Sequence, residues 1–591
     1  MANSDPALAP GAPGGRLVAL SLLLAALGLR LFELGGKSLW GDELNMIAFA
    51  RGDYDVAMSG GNAVGYFPIL RLADGLARLF APDGAIGAAD AWLRLPAALF
   101  GAATVPLLYF AGCRIAGRRV GLGAALLLML SPMHVAHSQE VHSYAAFCLA
   151  ALLLYEIRAR GALATEGGRG GWAAFIHPAA FAAVFAAGLY LHLFTLFVAG
   201  ALLLDVLAGR LLAGRNLVTA EERLPVAAAI LLALALSLPM WRDWIVPYAG
   251  QLAEKRIAGA PAVIEDKDSG TAIFDNEPVF ALAPSTFLRA GSQLVVWRGA
   301  FPLFAALAWL LFAGGAVLLH RRSPRESRTF LLFFFLPLLP IAAFSYLSRI
   351  DFGTRRLIFL LPLFWLAVAI ALTTLGGWLA ARLAQRPAVR AAAAALPALL
   401  FLFWLGVPML GWYFRAYEKV DFRLATRLIA RFAGADDFVL FHRPRNVFLH
   451  YRAGVESFDP EGSKPAKLER LRAGRSRIVF VRPFNVDPWP EVVPVLDWLQ
   501  EKHRFDLRLG GGLRLAVAAG KNRVDSAALA ERWLRAAIEE RPERFDLWAF
   551  LAQSLAMQGR EAEAREARER ADALRPERRF PTCLPWLCRQ P

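Results

Sequence analysis

Leu39-Trp40-Gly41-Asp42-Glu43 sets two adjacent carboxylates just beyond the apolar run 17–34, in a 591-residue chain that is 57% hydrophobic. Charge beside a membrane segment is costly and tends to be kept for function. Loops next to membrane helices also carry acids as ordinary solvated residues, so the pair takes its meaning from its surroundings. Reading apolar runs of about 17–25 residues as bilayer spans gives eleven, near 16–34, 92–112, 120–137, 143–157, 173–191, 193–209, 224–240, 299–319, 329–347, 357–376 and 391–414. The stretch 63–82 is apolar but broken by Arg71, Asp74 and Arg78, which suits an amphipathic or re-entrant piece at the interface. The predicted fold class is mainly α, a polytopic membrane helix bundle followed by smaller units.

Arginine placement orients the bundle. With the N-terminus inside, the loops 113–119, 158–172, 210–223, 320–328 and 377–390 are cytoplasmic, and all five are arginine-rich, HRRSPRESR (320–328) most of all. That is the positive-inside pattern, so the formal charge of +16 calls for no nucleic-acid partner. An odd number of spans puts the C-terminal region outside. Arg30 interrupts the first apolar segment and no clear cleavage site follows, so it reads as a signal-anchor.

The opposite face collects acids, imidazoles and arginines. Asp42 and Glu43 follow the first span. Ser131-Pro132-Met133-His134-Val135-Ala136-His137-Ser138-Gln139-Glu140-Val141-His142-Ser143-Tyr144 follows the third, His192 the fifth, and Arg349-Ile350-Asp351-Phe352-Gly353-Thr354-Arg355-Arg356 precedes the tenth. Short outer loops need polar residues anyway. Yet an arginine fork that can hold a phosphate, with a carboxylate that can take a proton, is a workable catalytic set.

Residues 415–525 mix β-like runs (438–441, 477–481 and 512–518) with a helical stretch at 419–433, which predicts a small α/β domain outside the membrane. From 526 the pattern is helical. Pro542 and Pro576, Ala530 and Ala564, and Ala537 and Ala571 each stand 34 apart, the period of a tetratricopeptide repeat. One such unit cannot bury both faces, so it is expected to pack on the preceding domain or on a protein partner. The boundaries are 1–15 (cytoplasmic N-terminus), 16–414 (membrane bundle), 415–525 (α/β domain) and 526–591 (repeat-like helices and tail). Cys113 and Cys148 read as apolar fillers, while Cys583 and Cys588 could form a local disulfide outside the membrane.

The order LWGDE, RLPAALFGAATVPLLY, LSPMHVAHSQEVHSYA, YLHLF and TRRLIFLLPLFWLAVA resembles bacterial GT-C glycosyltransferases of the dolichyl-phosphate-mannose-protein mannosyltransferase superfamily, which includes lipid A aminoarabinose transferases. The similarity covers roughly 16–450. It implies a GT-C bundle in the bacterial inner membrane that moves a sugar from a polyprenyl-phosphate donor to an acceptor hydroxyl on a glycan, lipid or protein at the outer face. By that resemblance Asp42 is the general base, and Glu43 orients the acceptor or helps hold a metal. Gln139, Glu140, His142, Tyr144 and His192 line the substrate pocket, and Arg355 with Arg356 faces the donor phosphate. No cofactor is certain; a divalent metal could assist the phosphate, with Asp42, Glu43 and Glu140 as its candidate ligands. The chain departs from the family where His-Pro-Pro is usual, here Gly61-Asn62-Ala63-Val64-Gly65-Tyr66-Phe67-Pro68. It departs again at His142 and Arg356, where arginine and tyrosine are usual.

Two other classes fit less well. A transporter or flippase of lipid-linked glycans should show internal repeats and ionisable residues at mid-span, whereas the acids here sit at loop edges. A receptor or scaffold built on the C-terminal repeats would have no need of acids and arginines gathered on one face.

Overall fold

The computed structural model describes residues 13–52, 64–81, 86–160, 173–214, 216, 222–247, 249–250, 302–348, 354–383, 386–415, 421–432, five strands within 437–519, and 523–574. The helices in chain order are α1 (Pro13–Leu31), α2 (Gly41–Arg51), α3 (Tyr66–Phe80), α4 (Ile86–Ala116), α5 (Arg118–Leu130), α6 (Pro132–Ser138) and α7 (Tyr144–Ala159). There follow α8 (Ala173–Leu191), α9 (Thr195–Leu212), α10 (Arg223–Met240), α11 (Pro302–Arg322), α12 (Pro324–Phe335), α13 (Leu338–Ser348), α14 (Leu361–Leu383), α15 (Pro387–Trp404), α16 (Gly411–Arg415) and α17 (Phe422–Phe432). Cys583, Cys588 and the stretch 349–353 lie outside the described residues.

The protein is a multi-pass membrane protein. Eight described helices are long and apolar enough to cross a bilayer, and a ninth span forms if α5 and α6, bent by 60° at Ser131-Pro132, count as one. The prediction of eleven therefore differs in two places. The segment 143–157 forms α7, only 16 residues long; at about 1.5 Å per residue it falls short of a hydrocarbon core of about 30 Å. The segment 173–191 forms α8, a 19-residue apolar helix whose interior carries Pro178.

One helix organises the bundle. The span Arg355–Arg382 is 89% buried, against 17% for Arg223–Ile245, because α5, α11 and α15 all pack on α14. A helix apolar on every side belongs in the middle of the other helices, and the run LIFLLPLFWLAVAIAL (357–372) is of that kind. A 3₁₀ turn, Thr354–Leu360, opens the span and carries Arg355 and Arg356 to one end of the bundle.

The opposite end is tied by ion pairs. Asp205 accepts from Arg158 at 2.8 Å, from Arg328 at 2.7 Å and from the Thr329 hydroxyl at 2.7 Å. Arg114 bridges Glu156 and Glu326, each at 2.8 Å, and Arg210 holds Glu222 at 2.6 Å. Four of the arginine-rich segments therefore meet at one end.

A second apolar core lies beyond the bundle. Leu44 and Ile47 of α2, Tyr66 and Leu70 of α3, and Leu428 and Ile429 of α17 join Trp533, Leu534 and Leu547 of the C-terminal helices. Between these elements, β1 (Asp437–Phe441), β2 (Ser457–Phe458), β3 (Arg477–Pro483), β4 (Phe505–Leu509) and β5 (Leu513–Ala519) form one mixed sheet in the order β2-β1-β3-β5-β4. β1 runs parallel to β2 and β3, while β5 is antiparallel to β3 and β4. Three helices close the described chain: α18 (Arg523–Glu540), α19 (Phe545–Met557) and α20 (Glu561–Leu574), each packed on the next. Ala530, Ala537, Ala564 and Ala571 are all buried, so the 34-residue spacing marks small residues at helix contacts.

Candidate active site

The acids at 42 and 43 fall in the first turn of α2, where the helix dipole favours negative charge. Glu43 reaches back to accept the backbone N–H of Trp40 at 3.2 Å, half of a capping box. Successive helical residues point about 100° apart, so the two carboxylates part company. Glu43 turns inward and is fully buried; Asp42 turns toward the mouth of the bundle.

There Asp42 Oδ2 meets Arg355 Nη1 at 2.6 Å, the side chains 17% and 10% exposed. The Arg355 guanidinium also lies 5.6 Å from the centre of the Trp40 ring and 5.9 Å from that of Tyr144, a cation–π arrangement on two sides. His142 stacks on Tyr144 at 3.8 Å, and His192 stacks on Phe147 at 4.6 Å while approaching Tyr144 at 5.9 Å. Asp42, His142, Tyr144, His192, Arg355 and Arg356 therefore form one neighbourhood, drawn from the starts of α2, α7 and the 3₁₀ turn and from the ends of the 139–143 loop and α8.

The two imidazoles are held neutral. Burial first, then the charge of Arg355, pushes His142 well below the ordinary histidine range. Burial, with Arg356 and Arg355 behind it, pushes His192 down to about 3. The backbone N–H of Ser143 donates to His142 Nδ1 at 3.0 Å, and that of Phe194 to His192 Nδ1 at 3.2 Å. With Nδ1 accepting, the proton of each neutral ring sits on Nε2, and both side chains are uncharged N–H donors.

Three predicted site residues are engaged elsewhere. Glu43 takes a bidentate grip from Arg94, both contacts 2.8 Å, and the backbone N–H of Val141 at 2.9 Å. Both of its oxygens are engaged, and the contacts tie the start of α2 to α4 and to the 139–143 loop. Gln139 donates to the carbonyls of Arg30 and Phe32 and accepts from the Tyr413 hydroxyl, so its amide ties α1 to the chain after α15 instead of lining a pocket. Glu140 pairs with His137 at 2.8 Å, both side chains 1% exposed. Among the described residues no group of three or more His, Cys, Asp or Glu side chains is placed to hold a metal. Asp42, Glu43 and Glu140 do not converge, and no step is assigned to a metal through them.

Arg94 opens the motif RLPAALFGAATVPLLY without standing out in it, and Arg423 belongs to none of the five motifs. Arg94 Nη1 donates to Leu34 O at 3.0 Å and Lys37 O at 2.7 Å, and Nη2 to Ser38 O at 3.0 Å. Arg423 donates to Gly35 O at 3.0 Å and Lys37 O at 3.1 Å and pairs with the buried Asp90 at 2.5 Å. The loop before Asp42 is thus gripped by two arginines, each with its own buried acid. Gly35 suits that packing, since a Cβ there would sit 1.9 Å from the Gly87 carbonyl oxygen. A lone arginine at the edge of an apolar run was the available signal for Arg94.

No protein-family model and no curated protein matches the chain. Among solved structures it is similar to ArnT from Cupriavidus metallidurans bound to undecaprenyl phosphate, at 13% identity and a TM-score of 0.48 over 86% of this chain and 98% of that one. It is similar also to the archaeal oligosaccharyltransferase AglB from Archaeoglobus fulgidus in complex with an inhibitory peptide and a dolichol-phosphate, at 11% identity and a TM-score of 0.48 over 87% of this chain and 75% of that one.

Proposed function

We propose that the chain is a membrane glycosyltransferase that moves a sugar from a polyprenyl-phosphate donor to an acceptor hydroxyl, with inversion, at the outer face of the cytoplasmic membrane. The observation that carries this reading is the contact of Asp42 with Arg355 at 2.6 Å, which puts a proton acceptor beside an anion clamp at one end of an apolar bundle. Arg355 binds an oxygen of the donor phosphate, where a guanidinium fork is stronger and more directional than an ammonium. The Nε2–H groups of His142 and His192 add neutral donors to the same neighbourhood. The acceptor oxygen attacks the anomeric carbon, and the bond from that carbon to the phosphate oxygen breaks. The bonding pair leaves with polyprenyl phosphate, and the hydroxyl proton passes to Asp42. A single displacement of this kind inverts the anomeric centre. The isoprenoid tail lies along the apolar helices, a surface that suits it.

The test is incubation of purified protein with a panel of radiolabelled polyprenyl-phosphate sugars, comparing wild type with Asp42→Asn. The variant should fold and insert normally and lose transfer. Full activity in Asp42→Asn removes that residue from the mechanism, and absence of transfer from any lipid-linked donor by wild type removes the reading.

A further inference from the structure

Resting on that reading, we infer that Arg423 is a positioning residue for the transfer, and that through α17 the C-terminal helices are wired to the loop that aims Asp42. Arg423 lies beyond the last apolar helix, in a part of the chain that contributes no group to the reaction. Yet its guanidinium covers the carbonyls of Gly35, Gly36 and Lys37, and its own N–H donates to Ser38 Oγ at 3.2 Å. Arg94 covers Leu34, Lys37 and Ser38 from the bundle side. The stretch 34–38 is therefore a strap between two arginines, and four residues after it Asp42 must meet Arg355.

The strap continues into the C-terminal helices. Asp421 caps α17 by accepting the Leu424 N–H at 3.0 Å, as an N-terminal aspartate does. Its other oxygen faces Arg544 at 3.5 Å and Arg541 at 3.6 Å, both in the turn between α18 and α19. Arg427 pairs with Glu540 at 2.9 Å, and Phe432 stacks on Trp533 at 5.8 Å. α17 thus has one face on the strap and another on α18 and its following turn. A shift of the C-terminal helices would move Arg423, and with it the carbonyls it holds. Misplacement of a reacting group by about 1 Å can cost up to about a hundredfold in rate.

The test uses the full-length chain in detergent or nanodiscs. Arg423→Gln alone leaves Asp90 buried without its partner and could fail to fold, so Arg423→Gln/Asp90→Asn, which removes both charges, is the informative variant. Arg544→Ala is the second, because it leaves the strap contacts in place while removing the contact to Asp421 and the pair with Asp546 in the same turn; Asp546→Asn, which breaks only the latter, is its control and should keep wild-type kcat. The double variant should melt near wild type and bind polyprenyl phosphate as wild type does, since Arg355 is intact. Its kcat should fall about ten- to a hundredfold, with the donor KM changed by no more than about twofold. Arg544→Ala should lower kcat in the same sense by a smaller factor. A well-folded double variant with wild-type kcat overturns the inference, and so does an equal loss in phosphate binding. If Asp42→Asn keeps full activity, the general-base reading fails by itself. If Asp42→Asn is dead while the double variant turns over normally, only the wiring fails.

Discussion

Replacing Glu43 by glutamine should damage the fold before it damages the chemistry. Glu43 and Arg94 are each 1% exposed, and their two oxygens and three nitrogens share five hydrogen bonds from Arg94 and two from the backbone N–H groups of Trp40 and Val141. Breaking a buried ion pair from one side costs about 3–5 kcal/mol, because the surviving charge is left unpaired. Glutamine keeps the shape but strands the Arg94 guanidinium. Arg94→Met strands the carboxylate and three carbonyls as well, and should cost at least as much. Against a total stability of about 5–15 kcal/mol either loss is severe. The double variant Glu43→Gln/Arg94→Met leaves no charge unpaired, so the cycle should show a coupling of about 2–3 kcal/mol in its favour. The measurement is thermal unfolding in detergent for the four proteins, with transfer rates normalised to folded protein. A catalytic Glu43 behaves otherwise: Glu43→Gln melts like wild type, shows no coupling to Arg94→Met, and loses about a hundredfold or more in kcat. That pattern refutes the anchor assignment.

Stability should fall as the medium is acidified below pH 6.5. His142 and His192 resist protonation in the native state, where Arg355, Arg356 and each other face them and only Glu140 favours the charged form of His142. The unfolded chain protonates near 6.5 and so binds more protons. Each ring therefore withdraws up to about 1.4 kcal/mol per pH unit below that value, for His192 until about pH 3. Melting curves at pH 7 and 5 should differ, and His192→Gln should shrink the difference; an equal pH response in both proteins counts against it. Arg355→Lys should raise the donor KM by about tenfold or more, since a point charge replaces a fork worth about 1.5–3 kcal/mol per charged hydrogen bond; an unchanged KM removes Arg355 from the phosphate. Asp205→Asn should destabilise the far end of the bundle by about 3–5 kcal/mol and leave the KM for donor near wild type, as read from melting and steady-state kinetics.

Much of the architecture was written in the hydropathy of the chain. Each predicted span coincides with one helix or a broken pair, because a polar backbone in lipid has little choice but to be helical. The span count differs where proline interrupts α8 at Pro178, and where α7 is shielded by its neighbours and need not cover the full lipid depth. β1, β3 and β5 were visible as runs of branched and aromatic residues; β2, two residues long, carries no pattern. In the site, Asp42 and Arg355 are 313 residues apart, and the order of motifs singled out both. The burial of the neighbour of Asp42 was not legible, for a geometric reason: adjacent acids look alike in sequence, yet one helical step turns the second into the interior. The same holds for Gln139, since a polar residue in a polar loop can face either way. Arg423 could not be found at all, because most of its partners are backbone carbonyls, which every sequence offers equally, and its acid, Asp90, lies 333 residues away.

The contact between Asp42 and Arg355 bears on how such a site stays quiet without substrate. A carboxylate oxygen bound to a guanidinium at 2.6 Å is already engaged in a charge-assisted hydrogen bond. On the proposed mechanism a donor phosphate competes for the same guanidinium, and its arrival releases Asp42 from that partner. The freed oxygen can then meet the acceptor hydroxyl at the moment a leaving group is in place. On that mechanism the pairing imposes an order, donor before acceptor activation. Such an order needs Asp42 to stay put when Arg355 turns away, and this is where the strap matters. The loop cannot follow the arginine, because Arg94 and Arg423 hold its carbonyls from two sides and Glu43 pins the first turn of α2 to Val141. The buried arginines spend their charge on backbone, and the result is a carboxylate whose position does not depend on the ion pair that masks it.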